Sequence, residues 1–100
     1  DDMIVSGGEN VYPIEVEKTL VAHPDVAEAA VIGVEDEQFG QRLSAFVVLH
    51  NPVTVDALKT HVRDNLANYK VPRDITILDE LPRNSTGKID RRALQDRLGG

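Results

Sequence analysis

Two β-rich runs, Val26 to Val34 and Leu43 to Leu49, occupy the middle of the sequence and constrain it most. Runs of this length, rich in branched aliphatic residues, read as strands. The polar stretch Glu35-Asp36-Glu37-Gln38-Phe39-Gly40 between them reads as a loop. Strands need a packed layer on their apolar side, so the flanking segments must supply it. The 100 residues leave room for one domain and one core. Tyr12, Phe39, Phe46 and Tyr69 are the whole aromatic complement, so that core has to be built from Val, Ile, Leu and Ala.

The flanks fit this requirement. Met3-Ile4-Val5 and Val11-Tyr12 are short extended runs around Ser6-Gly7-Gly8-Glu9-Asn10, the pattern of a hairpin. Pro13 suits the first position of a helix, where its missing N–H costs nothing. Glu15 and Glu17 lie near the positive end of that helix, and Val16 and Leu20, with Ile14 and Val21, give it an apolar stripe. His23-Pro24-Asp25 ends it. Thr54 is placed to cap a second helix with Val55, Leu58, Val62 and Leu66 on one face. Asp74 to Leu78 alternates like a half-buried strand, and Asp90 caps a last helix carrying Leu94 and Leu98. The expected fold is α+β, a small sheet with packed helices, preceded by a short β-hairpin.

Several kinds of chemistry are excluded or disfavoured. Without cysteine there are no disulfides, zinc–thiolate sites or thiol nucleophiles. His23, His50 and His61 lack the spacing of metal ligands, so no metal site is expected. The net charge of −6 argues against nucleic acid, which needs a basic surface. That charge is uneven: Arg83, Lys88, Arg91, Arg92 and Arg97 outnumber Asp90 and Asp96 after residue 80, leaving the first eighty residues near −9. The start at Asp1-Asp2 leads us to expect a piece of a longer chain.

Two loops could carry chemistry. In Asn84-Ser85-Thr86-Gly87-Lys88-Ile89-Asp90, Gly87 permits a tight turn and Lys88 projects an ammonium just before a helix. It is not a Walker A loop, since Pro82 stands where the first glycine is needed and Ile89 replaces Ser or Thr. A lysine aimed at phosphate acts as a compact point charge. Gly7-Gly8 is read as either a plain hairpin turn or a place where backbone approaches a ligand closely.

Taken in order, four segments resemble the C-terminal domain of the adenylate-forming superfamily of acyl-CoA synthetases, luciferases and peptide-synthetase adenylation domains. They are Asp1 to Glu17, Gly33 to Gly40, Leu66 to Pro72 and Leu81 to Arg91. Ser-Gly-Gly-Glu-Asn-Val-Tyr-Pro at residues 6–13 is similar to medium- and long-chain fatty acyl-CoA synthetases, and Val5 stands where luciferases carry a second lysine.

The resemblance implies that residues 1–100 are the mobile C-terminal lid of a larger ligase whose ATP- and acyl-binding N-terminal domain is the partner. That ligase would convert a fatty acid or related carboxylate and ATP to acyl-adenylate, then pass the acyl group to CoA, with Mg²⁺ balancing phosphate charge. It implies that Asp1 is the hinge and that Lys88 is the catalytic lysine of adenylation, reaching the carboxylate and the α-phosphate. In a second pose Gly7, Gly8, Glu9 and Asn10 face CoA, with Gly8 lining the pantetheine tunnel and Asn10 at a position that bears Arg or Gln in relatives. Arg63 lies where some relatives contact the CoA 3′-phosphate. The isolated domain is expected to be inactive and cytoplasmic, with any membrane attachment supplied by the missing domain. A lysine acetyltransferase acting on Lys88 would remove the charge adenylation needs. The alternatives are a stand-alone interaction or regulatory module of the same fold, and a ligase loading a carrier protein instead of CoA.

Overall fold

The computed structural model describes residues 3–99. Its elements in chain order are β1 (Ile4–Ser6), β2 (Glu9–Val11), α1 (Pro13–Val21), β3 (Val26–Asp36), β4 (Gly40–Leu49), α2 (Val55–Asn65), a 3₁₀ turn (Asn68–Lys70), β5 (Asp74–Ile77) and α3 (Arg91–Gly99). One sheet runs β2-β1-β4-β3, antiparallel throughout, and β5 adds to β4 in parallel over Ser44 to Val47. The fold is therefore α+β, and the hairpin is part of the sheet: Ser6 pairs with Gly40, and Gly7 N–H donates to the Phe39 carbonyl at 2.9 Å.

β3 and β4 form one long hairpin with paired residues out to Asp36 and Gly40. Half of the polar stretch expected as a loop is thus strand (Glu35, Asp36 and Gly40), and only residues 37–39 turn. The reason is Asp36, whose Oδ1 accepts from the N–H groups of Gln38 (2.9 Å) and Phe39 (3.0 Å) and closes the turn by itself. Polar side chains are tolerated here because this end of the hairpin is only partly covered.

Alternation along β3 and β4 splits the core in two. Val31, Leu43, Ala45 and Val47 face α1 and α2, meeting Val16, Leu20, Leu58 and Val62. Ala30, Ile32 and Phe46 face the other way, against Leu81 and Leu94. Helices therefore lie on both sides of the sheet. Thr54 caps α2 by accepting from Ala57 N–H at 3.1 Å, and Asp90 accepts from Ala93 N–H at 3.0 Å at the start of α3. Pro13 opens α1 as expected. Two members of its expected stripe do not join the core: Ile14 is 60% exposed and Val21 45%. They stand seven residues apart on the face away from Val16 and Leu20, because 3.6-residue periodicity admits the i, i+4 pair and carries these two round the helix.

Among the described residues the outer edge of β3 has no strand partner, and it is covered by side chains. Val31 N–H donates to Glu17 Oε2 at 2.8 Å, while Arg91 Nη1 donates to the Val31 carbonyl at 3.0 Å. Arg91 Nη2 also meets Glu17 Oε2 at 3.0 Å, and Gln95 Nε2 donates to the Gly33 carbonyl at 2.7 Å. Helices on opposite faces thus clasp an edge that would otherwise template pairing with another chain.

Candidate functional site

The loop from Arg83 to Ile89 builds itself around Asn84. Residues 83 and 89 form an isolated antiparallel bridge, and Asn84 N–H donates to the Lys88 carbonyl at 2.8 Å. Asn84 Oδ1 accepts from Thr86 N–H (3.0 Å), the Thr86 hydroxyl (2.6 Å) and Lys88 N–H (3.2 Å). Gly87 takes φ +85°, and its N–H returns to the Asn84 carbonyl at 3.0 Å. Leu81 is buried and Ile89 half-buried in the core cluster beneath α3, so both ends of the loop are pinned. Lys88 is exposed, and among the described residues its ammonium has no hydrogen-bond or ion-pair partner. Of the expected basic end, Arg83 is paired to Glu28 at 2.7 Å and Arg91 to Glu17. The lysine is left as a positive point on a braced loop.

The glycine turn of the first hairpin is fixed differently. Gly7 and Gly8 take φ +59° and +84°, the paired left-handed conformation of a two-residue hairpin turn. A Cβ on Gly7 would come within 3.3 Å of the Phe39 ring, whereas one on Gly8 would meet nothing within 4 Å. Gly8 therefore presents bare backbone to solvent, flanked by exposed Glu9 and Asn10.

Beside this turn lies a groove of about 350 Å³, lined by Ser6, Gly7, Phe39, Arg42, Tyr69 and Arg73 among others. The Arg73 guanidinium lies 5.0 Å from the Phe39 ring centroid and 3.0 Å from Asp36 Oδ2. Arg42 pairs with Asp74 at 2.9 Å. The backbone N–H of Phe39, with that of Gln38 and the guanidiniums of Arg73 and Arg42, outweighs partial desolvation and holds the Asp36 carboxyl below the usual carboxylate range. Sequence reasoning missed this groove. Phe39 and Tyr69 come from segments 33–40 and 66–72, two of the four family-like motifs, but Arg42 and Arg73 lie outside all four, and only the sheet register brings them to the glycine turn.

The structure separates the two loops. The lysine loop is tied to Glu28 on β3, and the glycine turn sits at Asp36 and Gly40. Eight residue steps of one strand separate Glu28 from Asp36, about 26 Å at ~3.3 Å each. Arg63 joins neither: it is exposed in the last turn of α2, with no hydrogen bond to either loop among the described residues. Asp1, the expected hinge, lies outside the described residues. Among those described, no three His, Asp or Glu side chains are grouped to hold a metal ion.

A small α+β domain with an exposed lysine at one end and a bare glycine turn at the other defines a domain class, and comparison with known proteins identifies it. The family described as AMP-binding enzyme C-terminal domain matches residues 15–88, and the chain belongs to that family. The 2-succinylbenzoate–CoA ligase of Bacillus subtilis (strain 168) is 48% identical over 99% of this chain. The enzyme of the same name from Geobacillus kaustophilus is 54% identical over 94%. The solved structure of a Mycobacterium tuberculosis fatty acyl CoA synthetase superposes with a TM-score of 0.89, at 42% identity over 96% of this chain. The chain spans about a fifth of each relative's length, 20% of both ligases and 19% of the solved synthetase.

Proposed function

We propose that this chain is the mobile C-terminal domain of an ATP-dependent acid–thiol ligase. A preceding domain of the same polypeptide would bind ATP, Mg²⁺ and the carboxylate, and the ligase would join that carboxylate to CoA through an acyl-adenylate. The observation that carries the proposal is the exposed ammonium of Lys88, unpaired among the described residues, on its Asn84-braced loop. A preorganised cation of this kind stabilises negative charge gathering between carboxylate and α-phosphate without first breaking another ion pair. Turned the other way, the domain would present Gly8, whose missing side chain leaves room for a thiol arm. The Arg42 and Arg73 groove beside it offers guanidinium and aromatic faces suited to the nucleotide half of CoA. Acetylation of Lys88 would switch off the first pose by removing its charge.

CoA is favoured over a carrier protein as acceptor because the relatives at 48% and 54% identity are named as CoA ligases. The same names make 2-succinylbenzoate the first carboxylate to test. Fatty acids, the expectation from residues 6–13, come second and are supported by the synthetase at 42% identity. The test supplies the full-length parent with ATP, CoA and each carboxylate, and follows AMP and thioester. One of these acids should give CoA thioester, and residues 1–100 alone should give none. Thioester formation by the isolated chain, or none by the parent with any carboxylate, would defeat the proposal.

A further inference from the structure

The lysine loop is well shaped internally, but its shape alone does not say where Lys88 points relative to the sheet. Leu81 and Ile89 anchor its ends, and one further side chain ties the turn itself to the sheet. Arg83 Nη1 donates to the Gly87 carbonyl at 2.9 Å, immediately before Lys88, and its Nη2 donates to Glu28 Oε1 on β3 at 2.7 Å. A single planar guanidinium therefore grips the turn on one side and the sheet on the other, 55 residues away in sequence. Both partners are exposed, Arg83 at 45% and Glu28 at 42%. Exposed pairs of this kind contribute little to folding, so stability gives no reason for the bridge. Its geometry gives one, since it fixes the peptide from which the lysine projects.

We infer that Arg83 and Glu28 are a positioning pair for Lys88, used in adenylation and not in thioester formation. The inference rests on the reading of Lys88 as the adenylation residue. Arg83 acts through the lysine's backbone and does not touch substrate. Its planar fork makes both contacts at once, which a lysine ammonium on a flexible stem does less well.

The test uses the full-length parent, carrying Arg83→Gln, Glu28→Gln, the double substitution, Arg83→Lys and Lys88→Ala, with each half-reaction assayed separately. Arg83→Gln should lower kcat of acyl-adenylate formation on the order of tenfold, with KM for ATP unchanged, as lost orientation does. Conversion of supplied acyl-adenylate and CoA should stay at the wild-type rate. Glu28→Gln should fall in the same direction. The double substitution should be no worse than Arg83→Gln, because the two residues act as one unit. Arg83→Lys should recover part of the loss. An unchanged adenylation rate in Arg83→Gln, or an equal fall in both half-reactions, would overturn the pair's role. If Lys88→Ala itself keeps adenylation, the underlying reading of the lysine has failed, and with it the inference.

Discussion

The lysine loop and the glycine turn are both short, exposed and dependent on glycine, yet they are held in opposite ways. The lysine loop is organised by side chains: Asn84 closes it, Arg83 ties it to β3, and Leu81 and Ile89 sink its ends into the core. The glycine turn is organised by backbone, with two residues at positive φ and one N–H bonded to Phe39. A loop that must aim a charge needs side chains to brace it. A loop that must let something pass needs them absent. The difference between the two ends therefore follows the two tasks proposed for them, and it can be broken by deleting side chains at one end and adding them at the other.

The largest effect expected is from Lys88→Ala, which should cut overall ligase turnover of the parent by roughly 10²–10³, measured as AMP release at saturating substrates. Asn84→Ala comes next. It removes the acceptor of three donors and should lower the same rate on the order of tenfold, while leaving the folded domain intact by circular dichroism. At the other end the sign reverses, because adding a methyl group is the damaging change. Gly8→Ala should cost about 1–2 kcal/mol in urea unfolding through its left-handed φ alone. Gly7→Ala should cost more, since the Phe39 ring must also move. Ser44 lies in β4 between the two ends, fully buried, with a hydroxyl that has no hydrogen-bond partner among the described residues. Ser44→Ala should be neutral or stabilising by up to about 1 kcal/mol and should leave both half-reactions unchanged.

A pH series sharpens the comparison at the glycine end. Asp36 closes the β3–β4 turn on which Gly7 rests, and its carboxyl is held below the usual range. The sign follows from linkage: a depressed folded-state value stabilises fully above the unfolded pKa near ~3.9, and the gain is lost as pH falls through the depressed value. Melting temperature should therefore drop as pH falls below about 4, and Asp36→Asn should flatten that limb. Lys70 works at the opposite limit. Its hydrogen bond and ion pair with Glu15 at 2.7 Å raise its pKa, so that contribution persists until pH climbs past the ordinary lysine value.

Much of this was legible in the sequence because it is local. Pro13, Thr54 and Asp90 mark helix starts through contacts within three residues, and Leu58 and Val62 reveal a buried face by spacing alone. The Asn84 to Lys88 loop is just as local, so its tight turn could be read directly. What could not be read depends on register. Glu17 looks like an ordinary acid near a helix start, but its carboxylate satisfies Val31 N–H and holds Arg91, which comes 74 residues later. Arg42 and Arg73 look like scattered surface charges until pairing of β4 with β5 puts Asp74 beside the first and the Asp36 turn beside the second. Ile14 and Val21 were expected in the core because they are apolar, and helix geometry turns them outward.

The central claim is that the two ends of this small domain serve different chemical steps. The most direct measurement assays the half-reactions separately in the full-length parent bearing either Lys88→Ala or Gly8→Leu. The account predicts that Lys88→Ala loses acyl-adenylate formation by roughly 10²–10³ yet still converts supplied acyl-adenylate and CoA to thioester, and that Gly8→Leu shows the reverse. Loss of the same half-reaction in both variants, or survival of both half-reactions in Lys88→Ala, would contradict it.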